Sequence, residues 1–565
     1  MSDEIKAKKV YGIDLGTTYS AIAVVDDTGK AEIVKNMEGD PTTPSAVFFE
    51  AGEEVGKPTA IVGKVAKAQA GTEPEKFVDF VKPHMGEIDI KDENGAITAH
   101  KTTWTIEGIT WTPEMISAEI LKKLVQGVEI TGEKVEDVVI TCPAYFNDAQ
   151  RRATSDAGKI AGLNVLAIIN EPTAAALHYG LNRDCGNQTV IVYDLGGGTF
   201  DVTVVKISAG EIEVVCSDGN HNLGGKNWDE RLIDHLAEKF AEESENGVSA
   251  DELKSDPETK TELKIAAEIV KQTLSQRQKI TQKVNHAGAV ARIEVTRETF
   301  NSLTKPLLDQ TEEITQRMID MARSKGVTQF DKFLLVGGST KMPQVMEMVK
   351  EKFGSVVSSE PMLHDPDEAV AKGAALYGTI MATIQLVNQW LEKGKSKEEA
   401  QKIVADETGM TLDAIVEQTD IKIGNVASRS YGIQVKNTSG ELVVFNLIHK
   451  QDRVPAEGAH NFPLSGANAS KLPLKVWENE SLTDKASLNE STNVGQAEML
   501  LTPGLPDHAP FRIIFKLDND GVLECEAIDL TNNKNLQTTF KPEGALTEEE
   551  IKEAQQTVGE LVETE

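Results

Sequence analysis

The chain is poor in cysteine. Four occur in 565 residues, Cys142, Cys185, Cys216 and Cys525, and none stands in CxxC spacing. Neither a disulfide framework nor a thiolate zinc site is indicated. Ten histidines occur without HExxH or a paired spacing, which disfavours a metalloenzyme. Positive charge is also scarce: 58 Lys and Arg against 90 Asp and Glu leave a net charge of −32. Such a chain repels a phosphate backbone or an anionic bilayer, so no nucleic-acid and no membrane partner is expected. No uninterrupted apolar run approaches the roughly 18 residues of a membrane span, and the first residues carry no apolar signal core. A cytoplasmic setting is the expectation. The sequence has no GxxxxGK[ST] and no GxGxxG, which sets aside the P-loop and Rossmann readings. With 39% hydrophobic residues the chain can bury sizeable cores, and wholesale disorder is excluded. Its length suggests roughly three to five structural units.

What is present is a repeat. Residues 11–25 read YGIDLGTTYSAIAVV and residues 191–205 read IVYDLGGGTFDVTVV. Each has an apolar run, Asp-Leu-Gly, small residues, then a second apolar run, which predicts a β-hairpin with a glycine-rich turn. The interval from Asp14 to Asp194 is too long for a solenoid unit and fits a duplicated domain. Such turns aim several N–H groups into one concavity and so make an anion nest. Two of them could grip a polyphosphate and its metal from opposite sides; two ordinary hairpins are the bland alternative. A third turn, FLLVGGSTKMP at 333–343, reads strand–turn–helix. Between the two Asp-Leu-Gly turns, 134–180 reads strand, helix from Asn147, strand, helix from Pro172, with Glu171 at a strand end. That is a frequent place for a functional carboxylate in an α/β fold.

Several longer motifs then carry a resemblance. IDLGTTYS (13–20), CPAYFNDAQRRAT (142–154), INEPTAAAL (169–177), YDLGGGTFDV (193–202), LGGKNWDERL (223–232), LVGGST (335–340) and DPDEAVAKGAA (365–375) resemble the ATPase domain of the heat-shock seventy-kilodalton chaperones. The resemblance implies an α/β fold: an actin-like, two-lobed ATPase domain of duplicated ribonuclease-H-like halves over 1–382. It implies ATP or ADP with Mg2+ as ligands. By position, Asp14, Glu171 and Asp194 resemble the carboxylates that hold the metal through its waters. Gly16, Thr17, Thr18, Tyr19, Gly196, Gly197, Gly198 and Thr199 resemble the phosphate turns, and Lys82 the lysine that supports the attacking water. The catalytic set so implied is Lys82, Glu171, Asp194, Thr199 and Asp14. Gly225, Glu268, Lys271, Ser275, Gly337, Gly338, Ser339, Lys341 and Asp367 resemble the adenosine side. There Gln272 and Lys341 stand where the family has Arg, and Lys226-Asn227 stand where acidic residues are usual. Pro143 and Arg151 resemble the family's interdomain relay.

Residues 383–418 do not fit the family. Lys and Glu alternate with apolar residues at helical spacing (Ile384, Val387, Trp390, Leu391, Ile403, Val404), and Ser396 with Glu399 makes a capping box. A helical insertion is expected, as a solvated elaboration or a partner-docking element. An interdomain linker follows at 419–430, with Ile421-Lys422-Ile423-Gly424 in place of the family's leucine run. Residues 431–545 alternate strands and turns and resemble the family's β-sandwich peptide-binding domain. FRIIFKLDNDGVLECEAIDL (511–530) is its clearest hairpin, turning at Asp520-Gly521. Ile433, Phe462, Leu472 and Leu474 would line the peptide cleft, or are plain sandwich core; Lys436 stands where the family has an apolar arch residue. Residues 546–565, with Thr547 and Glu550 as a capping box and Ile551, Ala554, Val558 and Leu561 on one face, resemble a truncated lid helix. A shortened lid implies faster peptide release.

The implied function is an ATP-dependent chaperone for unfolded or extended apolar polypeptides. A monomer is expected, with a J-domain co-chaperone and a nucleotide-exchange factor as partners. The alternative is a nucleotide-binding regulatory co-chaperone with little turnover. A sugar kinase on the same fold is disfavoured, because it leaves the β-rich third without a role.

Overall fold

The computed structural model describes residues 9–559 except 53–57, 92–96, 182–185, 209, 244–246, 438, 465–470, 502, 519–520, 538–540 and 543–545. Cys185, Asp520 and Leu561 therefore lie outside the described residues. Two sheets organise the first two-thirds. In the first, β1 (Val10–Asp14) and β2 (Tyr19–Val25) form the expected hairpin, and β3 (Asp137–Cys142) and β4 (Asn164–Asn170) add in parallel, in the order β4-β3-β1-β2. In the second, β5 (Gln188–Leu195), β6 (Phe200–Ser208) and β7 (Glu211–Asn220) run antiparallel, and β8 (Lys332–Val336) pairs with β5 in parallel. Asp14 faces Ala21 across its hairpin and Asp194 faces Asp201 across the other, each aspartate at the C-terminal end of its strand. The repeat in the sequence is thus a repeat in space.

Helices cover both sheets: α1 (Pro113–Glu129), α2 (Asp148–Ile160), α3 (Glu171–Leu181), α4 (Gly225–Glu243) and α5 (Pro257–Gln276). Asn147 caps α2 in a capping box with Gln150, which satisfies otherwise orphaned N–H groups. A further helix, α6 (Ala369–Glu392), packs on α3 and β1, and the three share one apolar core. The approach is close because the residues are small: a Cβ on Gly373 would lie 1.8 Å from the Ala174 carbonyl oxygen. Among the described residues, α6 is the one helix long and apolar enough by length and composition to cross a bilayer. A count of strictly uninterrupted apolar residues misses it, because its hydropathy rests on Ala interspersed with Gly and Thr. Its Ala369, Ala371, Ala374 and Ala375 are buried in the core.

Past residue 382, α6 simply continues. Two helices fold back on its end, α7 (Lys397–Thr408) and α8 (Leu412–Asp420), burying Val387, Ala400, Val404, Ala405 and Ile415 together. The Ser396–Glu399 capping box is formed. Thr383 Oγ1 donates to Gln418 Oε1 at 2.8 Å inside this contact. One residue after α8 the chain enters β9 (Lys422–Val426), which joins the second sheet parallel to β7.

The last third is two packed sheets. One contains β10 (Ser430–Lys436), β11 (Leu442–Ile448), β13 (Lys471–Asn479) and β14 (Ser491–Leu500); the other contains β12 (Ala456–Pro463), β15 (Pro510–Leu517) and β16 (Leu523–Asp529). The expected hairpin closes with Leu517 opposite Leu523. Ile513, Phe515, Val476 and Ile433 meet between the sheets.

Helix α9 (Glu548–Gly559) packs against α1 and α2. Its capping box is present, with Glu550 N–H donating to Thr547 Oγ1 at 3.2 Å. Val558 is buried in the core of the first lobe, with Ile551 and Ala554 against it. Lys122 Nζ donates to the Val558 carbonyl at 2.8 Å, and Gln555 Nε2 to the Lys159 carbonyl at 2.7 Å. A helix this short is marginal alone (isolated helices need about 12–15 residues), so it stands by docking. Burying one Val contributes about 1.5–3 kcal/mol. Val558→Asp is expected to release α9 while leaving the rest folded. Trypsin would then cut at Lys552 at least tenfold faster, with the melting temperature little changed.

Candidate functional site

The two Asp-Leu-Gly turns face each other across a cleft of about 510 Å³. From the first half it is lined by Asp14, Gly16, Thr17, Thr18, Tyr19, Lys82 and Glu171. From the second come Asp194, Gly196, Gly197, Thr199, Glu268, Lys271, Ser275, Gly337, Gly338, Ser339 and Lys341, with Asp367 from the return segment. Two expected members, Gly198 and Gly225, stand just behind the lining. The turns touch: a Cβ on Gly197 would lie 1.6 Å from Thr18 Oγ1. Only glycine lets the two backbones come this close. Backbone bonds brace the second turn, from Gly196 N–H to Thr199 O (3.0 Å), Gly225 N–H to Gly196 O (2.9 Å) and Lys226 N–H to Gly197 O (2.7 Å). Ser339 Oγ also donates to Gly196 O at 2.9 Å.

Carboxylates converge at the floor of the cleft. Asp14 ends β1, Asp194 is next to last in β5 and Glu171 opens α3 directly after β4. Lys82 reaches in from a short 3-10 turn and pairs with Glu171. All four are buried or nearly so. Burial raises the Asp14 carboxyl to about 7, with Glu171 adding to the rise and Lys82 opposing it. Asp194 is raised well above its ordinary value by burial, then by Glu171 and Asp14. Lys82 is opposed by burial, yet Glu171 and Asp14 hold it above its usual value. Three acids against one lysine leave negative charge in a place of low dielectric, where it is strongly unfavourable. Among the described residues no three such side chains stand close enough together to ligate one ion directly, so this donor set fits a hard divalent cation that keeps its own waters between itself and the carboxylates.

At the other end, Glu268 joins the lips of the cleft. It accepts from the Tyr19 hydroxyl at 2.9 Å and from Lys67 Nζ at 2.7 Å, both from the first half. Gln272 Nε2 donates to Glu268 Oε1 at 3.3 Å. Lys271 Nζ is held by Asp229 at 2.5 Å and by the Gly225 carbonyl at 3.2 Å. Lys341 pairs with Asp367. Lys67 and Asp229 were not selected from the sequence. Lys67 meets its partner 201 positions away, which no local pattern encodes. Asp229 lay within a quoted motif, four residues after Gly225 and so on the same face of a helix.

The linker strand, β9, lies between β7 of the second sheet and residues 453–454 of the last third, with Asn425 opposite Val454 and Val426 opposite Arg453 in antiparallel register. Its register is Glu211↔Lys422, Ile212↔Ile423 and Glu213↔Gly424, so it is held by backbone bonds that need no leucine. Lys422 N–H also donates to Gly210 O at 2.8 Å. From the β-domain, Arg453 pairs with Glu213 at 3.1 Å and Glu211 at 3.3 Å. Arg151 donates from Nε to the Phe146 carbonyl at 3.2 Å and bonds Asn170, whose amide donates to Asn425 of the linker strand at 3.2 Å. Arg151 is thus connected to the linker through one side chain. Pro143 is buried nearby. Of the four cleft candidates in the β-domain, Ile433 and Leu474 are core residues, and Phe462 and Leu472 are partly buried against that core.

Paired glycine turns over a carboxylate floor, followed by two packed β-sheets in the last third, make a mixed α/β fold of many sheets. A family model described as Hsp70 protein matches residues 10–565. The chaperone protein DnaK of Halobacterium salinarum is 36% identical over 560 residues, covering 97% of this chain and 78% of that one. The DnaK proteins of Thermotoga neapolitana and Thermotoga maritima are each 35% identical over 556 residues, covering 97% and 83%. The chain belongs to the Hsp70 family.

The charge balance of the floor has a measurable consequence. The folded Asp14 value of about 7 lies above its ordinary 3.8, so between those values the folded state holds a proton that the unfolded chain has released. Stability from this group is full below the ordinary value and is lost as pH rises through about 7. Lys82→Ala widens that window by removing the opposing cation. In nucleotide-free protein with chelator, the variant is expected to lose about 3–5 kcal/mol at pH 8. The melting-temperature gap to wild type should narrow as pH falls to 6.

Proposed function

We propose that the chain is an ATP-dependent molecular chaperone that takes up exposed apolar segments of unfolded proteins under control of ATP binding and hydrolysis. The observation that carries this reading is the cleft in which two glycine turns, one from each half, close over Asp14, Glu171, Asp194 and Lys82. The organisation we infer is an actin-like ATPase domain over 1–382, a helical insertion over 383–418, a linker over 419–430, a β-sandwich substrate domain over 431–545 and a lid-type helix over 546–565.

ATP binds with its phosphates against the turn N–H groups of Thr17, Thr18, Gly197 and Gly198, where turn dipoles favour anions. Glu268, Lys271, Ser275, Ser339, Lys341 and Asp367 hold the nucleoside end. Asp14, Glu171 and Asp194 are the residues that would hold magnesium, which when bound supplies positive charge against the phosphates. Lys82, pinned by Glu171, presents a fixed cation to the γ-phosphate and the attacking water. Thr199 adds a hydroxyl at the same turn. Catalysis of this kind is positioning and charge stabilisation and needs no covalent nucleophile.

Output runs through the linker. Arg151, Asn170 and Asn425 join the floor of the first lobe to β9, and Pro143 precedes that loop. A change in lobe closure shifts the edge on which β9 is paired, and with it the grip of the sandwich on peptide at Ile433, Phe462, Leu472 and Leu474. A J-domain protein and a nucleotide-exchange factor are the expected partners, with a monomer in the cytoplasm as the working form. The second reading, a regulatory relative with little turnover, is not favoured: the relatives are chaperones by name, and Asp14, Glu171 and Asp194 line one cleft with Gly16, Gly196 and Gly197.

Magnesium-dependent ATP turnover should rise when an unfolded apolar peptide is added. Lys82→Ala should lower kcat by about 10²–10³ while ATP affinity changes less than tenfold. Tight nucleotide binding with no turnover in the presence of peptide would overturn the reading.

A further inference from the structure

The β-domain meets the first lobe at a buried acid. Glu478, next to last in β13, is only 3% exposed and sits on the N-terminus of α2. Its carboxylate accepts from the Asn147 side chain and from the Asp148 N–H. Its Oε2 is buried without a hydrogen-bond partner. Asp148 brings a second buried carboxylate to the same contact, paired with Arg152 at 2.7 Å.

The surrounding charges do not neutralise Glu478. Arg429, just before β10, is the nearest cation, but it is tied to Glu480, and its Nε has no partner. Arg151 on α2 is engaged by Asn170 and the Phe146 carbonyl. The Tyr431 phenol of β10 is buried beside both acids, and Asp518, after β15, acts on Asp148. Separation of the domains would return Glu478 to water.

We propose that docking of the β-domain on the first lobe takes up one proton at Glu478, so that the docked arrangement is favoured as pH falls. An ionised carboxylate in this contact would be buried with an unpaired oxygen beside a second acid, whereas the neutral acid buries no charge there. The direction of the Glu478 shift agrees: burial raises it, Arg429 offsets part and Asp148 adds, leaving it at about 7 against an ordinary 4.5. By linkage, the docking constant gains at most about tenfold per pH unit between those values and is flat above them.

The test uses the full-length chain, in ATP and separately in ADP, with the docked fraction read by small-angle X-ray scattering between pH 5.5 and 8. Wild type is expected to dock at least tenfold more tightly at pH 5.5 than at pH 8. Glu478→Gln, which keeps shape and hydrogen bonding, should remove the slope and dock at pH 8 as tightly as wild type does at pH 5.5. Asp148→Asn should move the midpoint of the slope to lower pH, and it carries the test if Glu478→Gln fails to fold. A slope retained in Glu478→Gln, or no slope in wild type, overturns the inference. Domain movement without a pH slope leaves the chaperone reading standing; no movement in either nucleotide at any pH overturns both.

Discussion

Everything in the first two-thirds depends on placing three carboxylates and one lysine at the floor of a single cleft. Like charges do not gather unaided in a low-dielectric site, so strong elements must force them there. Asp14 and Asp194 stand at the ends of strands whose other residues are buried on nearly every position, and Glu171 opens a helix packed on both sheets. The folding energy of two apolar cores holds the acids together against their repulsion, and Lys82 offsets part of it. The site is therefore poised to accept positive charge from outside. Duplication supplies the geometry, because two copies of one hairpin, meeting across α3 and α6, present equivalent aspartates and equivalent turns.

The junction with the β-domain follows a different rule. The linker strand is bound through its backbone, by Arg453 with Glu211 and Glu213, and by amides at Asn170 and Asn425. Water can replace such bonds at small net free energy, about 0.5–1.5 kcal/mol each. A ladder of backbone bonds is also indifferent to side chains, which explains how Lys422 and Gly424 stand where leucines were expected. The helical insertion contributes from the other end. Helix α8 stops one residue before the linker strand, and Thr383–Gln418 fixes it to α6, so the start of β9 is anchored to the first two-thirds of the chain.

Much of this was legible in the sequence. Both hairpins, the strand–helix–strand–helix run from 137 to 181, the capping boxes at Ser396 and Thr547 and the 511–530 hairpin are local patterns, and local patterns survive folding when a core confirms them. The floor residues were legible because each sits inside a distinctive turn. The Lys67–Glu268 bridge across the cleft was not, since both partners lie on ordinary helices and only tertiary structure joins them. Glu478 was equally silent: one acid in an alternating strand reads as a solvent-facing residue until another domain covers it. The apolar residues of the sandwich show the converse limit. Ile433 and Leu474 have the alternation of cleft residues and of core residues, and the alternation is the same for both.

These two kinds of contact answer different needs. The cleft floor must hold its geometry to a fraction of an ångström, and it is built into apolar cores whose opening requires global unfolding. The contact between the last third and the first two-thirds is built from polar groups that water satisfies nearly as well. A wholly apolar junction of the same area would close too tightly to reverse, as obligate interfaces do. Helix α9 is the intermediate case, with one fully buried Val and two polar bonds to backbone carbonyls. Its net docking energy is small enough for release and large enough to order a helix too short to stand alone. Stability in this molecule is therefore graded from the carboxylate floor of the cleft outward.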